Sequence, residues 1–301
     1  MKVLVTGGAG FIGSHLVDSL VANNDVLVVD NLSTGSRSNV NSLARFYELD
    51  IRSTDLAILV KTEKPEVVYH LAAQASVPVS LLDPILDADI NILGSLRLLE
   101  SCIAAGTRKI IFSSTAAVYG TPVYLPVDEK HPLAPMSGYG LSKMTVEHYL
   151  AQFQANHRLE YTVLRYANVY GERQNTSGEG GVVSIFLDRL RQSKAPSIFG
   201  DGNQTRDFVY VKDVVNANLK ATEAGNGQII NISTGQSSTV NDLFQTISGL
   251  LNISLQPIFA EPRAGDIRDS ILDNRKAAQT LGWQPDYSLK SGLQSTLQNW
   301  V

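Results

Sequence analysis

Apolar residues recur along this chain in two alternating rhythms. Short runs at 3–5, 26–29, 46–49, 67–71, 110–112 and 162–164 are almost continuously apolar, as in strands buried on both faces. Between them, segments 11–22, 53–62, 84–105 and 137–156 carry apolar residues at helical spacing. The first of these places Phe11, Ile12, Leu16, Val17 and Leu20 along one stripe. Strand and helix in regular succession predict an α/β fold, a doubly wound parallel sheet of Rossmann type with right-handed crossovers. After residue 170 the rhythm loosens. Glycine-rich loops at 178–181 and 200–202 and turn clusters at 262–265 and 283–285 separate shorter elements. The expected division is a cofactor domain of residues 1–170 plus about 208–234, and a smaller substrate domain of about 171–207 plus 235–301. Residues 208–232 are expected to return a strand and a helix to the first sheet.

Ligands on such sheets lie at the carboxyl ends of the strands. The residues there are Gly7, Asp30, Asp50, Ala72, Ser113, Ser114, Thr115, Tyr166, Ala167 and Asn168. The first crossover is the most specific. Val3-Leu4-Val5 leads into Gly7, Gly10 and Gly13, and a helix follows at once. Glycines admit a pyrophosphate to the backbone, and the helix N-terminus offers it unpaired N–H groups and a positive dipole end. The second strand ends in Asp30, 17 residues past Gly13. An acid there bonds both ribose hydroxyls of an adenosine and repels a 2′-phosphate, which favours NAD over NADP.

Composition narrows the partners. The 301 residues are 44% hydrophobic and 18% charged, with a net charge of −4. That is ample for a large core, and no basic surface points to nucleic acid or an anionic membrane. Cys102 is the one cysteine, so no intrachain disulfide forms. The histidines (15, 70, 131, 148, 157) lack metal-ligand spacing. The first strand starts at Lys2 and no apolar run approaches the length of a membrane span. A cytoplasmic location is expected.

A second constellation supplies reaction chemistry. Tyr139 and Lys143 stand four apart, on one helix face, downstream of Ser113-Ser114-Thr115 at a strand end. A phenol titrates near 10, so a tyrosine base at neutral pH needs a drop of roughly three units, about 4 kcal/mol. The Lys143 ammonium and a positive nicotinamide ring are charges of the required sign.

With these residues in place, the chain resembles the extended short-chain dehydrogenase/reductases that act on nucleotide sugars. The resemblance spans nearly the whole chain. It rests on residues 6–13, Asp30, His70-Leu-Ala-Ala-Gln-Ala-Ser76, Ser113-Ser-Thr-Ala-Ala-Val-Tyr-Gly120, residues 139–143, Leu164-Arg-Tyr-Ala-Asn-Val-Tyr-Gly171, Gly200-Asp-Gly-Asn-Gln-Thr-Arg-Asp207 and Glu261-Pro-Arg-Ala-Gly-Asp266. Within that family it looks most like the short UDP-glucose 4-epimerases. Dehydratases of the family carry an Asp-Glu pair after the residue equivalent to Thr115, and the decarboxylases tend to carry a Glu. This chain has Ala116 and Ala117, which move no proton.

The resemblance implies a role for each matched position. Thr115, Tyr139 and Lys143 would be catalytic. Gly7, Gly10, Phe11, Ile12, Gly13, Asp30, Asn31, Ser33, Thr34, Gly35, Asp50, Ile51, Leu71, Ala72, Ala73, Asn91, Ser113 and Tyr166 would hold NAD, together with Tyr139 and Lys143. Asn168, Val182, Phe199, Arg206, Arg263, Asp266 and Ser270, with Thr115 and Tyr139, would face a UDP-sugar, the two arginines clamping its diphosphate. The implied reaction is 4-epimerisation of UDP-hexoses through a transient 4-keto sugar. Alternatives are other C4 chemistry, on a UDP-uronate or as a 4-keto reductase, and a non-catalytic NAD sensor. Ser270, seven past Arg263, would leave room beside C2 for an acetamido group, although it also fits the start of a strand at 270–272. The resemblance further suggests a homodimer through helices 84–105 and 137–156, whose apolar Leu93, Leu96, Val146 and Leu150 could equally face the sheet.

Overall fold

A computed structural model describes residues 1–176, 181–262 and 267–300. The first half runs β1 (Lys2–Thr6), α1 (Phe11–Leu20), β2 (Asp25–Asp30), β3 (Arg45–Glu48), α2 (Thr54–Glu63), β4 (Val67–His70), α3 (Val77–Leu82), α4 (Pro84–Ala88), a π-helical turn (Asp89–Leu93), α5 (Gly94–Ala105), β5 (Lys109–Thr115), α6 (Gly138–His157) and β6 (Glu160–Tyr166). The second half runs β7 (Asn168–Tyr170), α7 (Val182–Arg191), β8 (Ser197–Phe199), β9 (Thr205–Arg206), β10 (Phe208–Tyr210), α8 (Val211–Ala221), β11 (Gln228–Ile232), β12 (Ser238–Thr239), α9 (Val240–Leu251), β13 (Ile258–Ala260), α10 (Arg275–Leu281) and α11 (Leu289–Gln298).

Seven strands form one parallel sheet in the order β11-β6-β5-β4-β1-β2-β3. Alternate residues of each strand feed opposite cores. Val3, Val5, Val28, Ile111 and Ile230 pack with α1, α8 and Trp283 on one face. Leu4, Leu27, Val68, Ile110 and Val163 pack with α2, α5 and α6 on the other. A third core gathers α7, α9 and α11 around Tyr170, Ile198, Phe208 and Tyr210, and small strand pairs stitch this part together (β10 with β7, β12 with β9, β13 with β8). No helix among the described residues is long and apolar enough to cross a membrane.

All six expected strands of the first half are present, and β11 and α8 return to the main sheet and its helical layer. The helix expected over 84–105 is helical throughout, but its turn at 89–93 widens to π geometry between α4 and α5. One expectation is corrected. Residues 270–272 form no strand. Asp269 and Leu272 make only isolated bridges, to Thr205 and Val127.

The outer edge of β11 is covered. Asn231 donates its backbone N–H to Glu129 Oε1 at 2.8 Å, and its side-chain amide donates to the carbonyl of Val127 at 3.0 Å. Pairing of this kind leaves the edge strand less open to recruiting another chain.

Candidate active site

The turn from β1 into α1 leaves no room for side chains on its inner surface. A Cβ on Gly7, whose φ is +73°, would lie 2.7 Å from the Ala72 nitrogen, and one on Gly13 would lie 2.1 Å from the Gly7 carbonyl oxygen. Gly10 caps α1 with no side-chain hydrogen bond, and the first turn holds no acid. The helix N-terminus, with Phe11 and Ile12 in its first turn, is therefore free to receive an anion. Asp30 closes the opposite side. Its Oδ2 accepts from the Ala9 N–H at 3.0 Å and its Oδ1 from the Leu32 N–H at 2.8 Å. Each oxygen keeps a second acceptor site, as bonding to a ribose requires. The loop carrying Asn31, Ser33, Thr34 and Gly35 is drawn against the glycine turn, with the Ser36 N–H and the Asn39 amide both bonded to the Ala9 carbonyl. Asp50 is held well below the usual carboxylate range, chiefly by Arg52 and also by the Asn31 amide. Ile51 is buried against Gly94. Leu71, Ala72 and Ala73 run along the far wall, partly exposed. These residues fit a dinucleotide: a bare helix end for pyrophosphate, an acid for ribose and apolar walls for an adenine.

Asn91 differs from its expected part. It is 2% exposed and its side chain is fully engaged with protein, accepting from the Gln74 N–H and donating toward the Gln74 carbonyl, Asp87 Oδ1 and Ser142 Oγ. It braces the groove wall and turns no free polar atom toward the groove.

Where β5 ends, Thr115 stands beside Tyr139 of α6, near enough for its hydroxyl to influence the phenol. The Thr115 oxygen also accepts from the Ala117 N–H, which fixes its rotamer. One helical turn on, Lys143 donates to the Ser113 carbonyl at 2.8 Å and lies 4.7 Å from the centre of the Phe112 ring. Ser113 Oγ contacts the Tyr166 hydroxyl at 3.0 Å, and Asn218 donates to that same hydroxyl. Thr115, Tyr139, Lys143, Ser113 and Tyr166 thus converge at one end of the sheet.

The electrostatics depart from expectation at Tyr139. Burial pushes its phenol up to about 12, against the pull of the Thr115 hydroxyl, and the nearby Asp87 carboxylate adds to the rise. The protein alone does not make this group a base. Burial also brings Lys143 down to about 8, opposed by Asp87 and Glu147. Sequence reasoning missed Glu147 and Arg165. Both are 2% exposed and paired through two hydrogen bonds, and Ser114 donates to the same carboxylate. Glu147 follows Tyr139 and Lys143 at the same four-residue interval, so the helix face itself pointed to it.

The expected substrate side lies beyond β6. Asn168 is exposed at the start of β7, and Val182 opens α7 behind an uncapped Gly181. Phe199 ends β8, where its carbonyl accepts from the Gln204 amide. Arg206 is on β9, donating to the Thr205 carbonyl at 2.8 Å. The Ser270 N–H donates to the same carbonyl at 3.2 Å, so Ser270 is tethered beside Arg206. Arg263 and Asp266 lie outside the described residues.

A glycine turn, a ribose-facing acid and a Thr-Tyr-Lys cluster with its lysine buried, on one parallel sheet, define a dinucleotide-dependent enzyme of the Rossmann class. The chain belongs to the NAD dependent epimerase/dehydratase family, whose model matches residues 3–233. It is similar to the UDP-glucose 4-epimerase of Thermotoga maritima solved with UDP-glucose, at 48% identity and a TM-score of 0.98, covering 99% of this chain and 98% of that one. It is similar also to the UDP-glucose 4-epimerase of Thermus thermophilus solved with NAD (39%, TM-score 0.94, 99% and 98% covered). The UDP-N-acetylglucosamine 4-epimerase of Methanobrevibacter ruminantium, solved with UDP-N-acetylmuramic acid, is 36% identical with a TM-score of 0.95 and coverage of 99% and 97%.

Proposed function

We propose that this protein is an isomerase that inverts C4 of UDP-hexoses, with NAD as a held cofactor. The observation that carries the reading is the juxtaposition of Thr115 and Tyr139 beside buried Lys143, followed by a turn of Ala116 and Ala117 with no acid to remove water or carbon dioxide. The glycine turn, Asp30, the 31–35 loop, Asp50, Ile51 and residues 71–73 hold the dinucleotide. Bound NAD supplies a hydride acceptor and donor at the sugar C4. Tyr139 takes the 4-hydroxyl proton and later returns it, with Thr115 orienting that hydroxyl. Lys143 contributes positive charge beneath the phenol. Asn168, Val182, Phe199, Arg206 and Ser270, with Arg263 and Asp266, hold the UDP portion while the sugar presents either face. The cofactor domain comprises 1–170 with about 208–234, and the remainder forms the substrate domain.

The protein acts in the cytoplasm as a homodimer. Leu81, Leu82, Ile85, Leu93 and Leu141 support the dimer, because they are 47–86% exposed on α3, α4, the π-turn and α6, which pack together. Val146 and Leu150 take no part, since both are buried under the sheet, and Leu96 packs on the same core.

The test is turnover of UDP-glucose, UDP-galactose and their N-acetyl counterparts by protein as purified. Inversion without added NAD and without net NADH release is expected. Strict stoichiometric dependence on free NAD(H) would instead make the protein a dehydrogenase or reductase.

A further inference from the structure

Between the glycine turn and α6 runs an unbroken series of buried hydrogen bonds with His70 at its centre. Thr6 Oγ1 lies 2.7 Å from His70 Nδ1, and His70 Nε2 lies 2.8 Å from Ser95 Oγ. Thr6, His70, Ser95, Asn91 and Ser142 are all at most 2% exposed. The direction of the series follows from counting hydrogens. Ser95 spends its one hydroxyl hydrogen on the Asn91 carbonyl, so toward His70 it can only accept. His70 must therefore carry a hydrogen on Nε2. Burial holds the imidazole neutral, down to about 3, helped by the charge of Lys143. Nδ1 is then an acceptor, filled by the Thr6 hydroxyl, which in turn accepts from the Ala72 N–H at 3.3 Å.

Each end of the series touches one half of the site. At one end, the Ala72 N–H belongs to the wall that covers Gly7. At the other, Asn91 grips Gln74 through both main-chain groups and shares its two amide hydrogens among the Gln74 carbonyl, Asp87 and Ser142. Ser142 Oγ donates onward to the Tyr139 carbonyl at 3.1 Å. The π-turn makes the connection possible, because widening there puts the Asn91 carbonyl and amide within reach of different partners, a use typical of such turns at functional sites.

We propose that His70 is a positioning residue which, as a neutral Nε2–H imidazole, registers the turn of α6 bearing Tyr139 against the cofactor groove. This rests on the epimerase reading for its effect on turnover. Its effect on geometry does not depend on that reading. A misplacement of about 1 Å at reacting groups costs up to roughly 100-fold in rate.

Two measurements decide the matter. The first is ¹⁵N NMR of the imidazoles in the NAD-loaded protein between about pH 5.5 and 8.5. His70 is expected to stay neutral with its hydrogen on Nε2, and Ser142→Ala is expected to move its Nε2 resonance. A protonated His70, the Nδ1–H tautomer or an unmoved resonance overturns the proposal, whatever the activity. The second is a double-mutant cycle of His70→Phe with Ser142→Ala. Each single change is expected to lower kcat roughly tenfold with KM changed less than twofold, and the double to fall no further than the worse single. Multiplying losses, or losses confined to KM, overturn it. Ser95→Ala replaces His70→Phe if the larger change prevents folding. Wild-type protein inert toward every UDP-hexose would sink the epimerase reading instead and leave the NMR measurement to judge His70.

Discussion

Tyr139 is held by burial near 12, while its proposed work needs a base at neutral pH. The gap of about five units corresponds to roughly 7 kcal/mol. Lys143 stands one turn away but bonds the Ser113 carbonyl, so the protein alone leaves the phenol protonated, and the positive ring of bound NAD would supply the further charge that a phenolate needs. An idle site of this kind spares the enzyme a buried phenolate. Tyr139→Phe is expected to lower turnover by about 10²–10⁴-fold while NAD stays bound, read from steady-state rates and the absorbance of retained cofactor. Near-normal turnover in that variant would refute the assigned base. Ser270→Tyr tests the space beside the sugar C2. It is expected to abolish activity on UDP-N-acetylglucosamine and leave UDP-glucose within about threefold, since one aromatic ring at a tight contact costs one substrate and not the other. A wild type that rejects N-acetyl sugars would show that another side chain fills the gap. Tyr139, Lys143, Asp30 and the glycines were legible because each sits in a short motif with a fixed offset. His70 and Arg165 also stand in matched motifs, but their parts were not legible because their partners are remote: Thr6 is 64 positions from His70, and Glu147 is 18 from Arg165.

Among the elements, strands were read more faithfully than the breaks in helices. A parallel strand buried on both faces announces itself as an apolar run, whereas the π-turn at 89–93 depends on tertiary bonds that no local pattern carries. Helix α3 was missed although it has a readable signal, Ser76 as N-cap with Pro78 in the first turn. The α3–α4 surface makes its own prediction. If the protein is the proposed homodimer, Leu82→Glu with Ile85→Glu is expected to convert it to monomer in light scattering, because charges replace apolar side chains that are 86% and 81% exposed. An unchanged mass would place the interface elsewhere. At the opposite end of the sheet, Lys109 opens β5 fully buried, donating to the Ala224 carbonyl and Asn226 Oδ1 in the turn before β11. Burial, with Arg108 beside it, brings its ammonium down to about 8. A lysine depressed in the folded state destabilises the fold while both states are protonated, and stability rises with pH wherever the unfolded chain binds more protons. The destabilisation is largest and flat below about pH 8 and is relieved as pH rises toward 10.4. Stability is therefore expected to climb between about pH 8 and 9.5, before the buried tyrosines, raised to about 12 at Tyr119, Tyr139 and Tyr166, begin to oppose it. Lys109→Met should flatten that climb in denaturant titrations, leaving the shares due to Lys143 and Lys276, whose ammoniums burial also lowers. A slope identical to wild type would count against the assignment.

For the molecule as a whole, the main sheet is not assembled from one continuous stretch. β6 ends at Tyr166, but its neighbour β11 begins only at Gln228, after α7 and α8. Synthesis is vectorial, so a chain emerging from the ribosome exposes β6 as an open edge throughout the making of the intervening residues. An open, apolar strand edge is a template for aggregation. A fragment of residues 1–207 should accordingly partition into the insoluble fraction on expression, and one of residues 1–234 should be markedly more soluble. Equal solubility of the two would mean that the edge is masked by something other than β11. The position of one five-residue strand thus sets a window in the life of every newly made copy, closed only when Ile232 has left the exit tunnel, during which holding chaperones have a surface to bind.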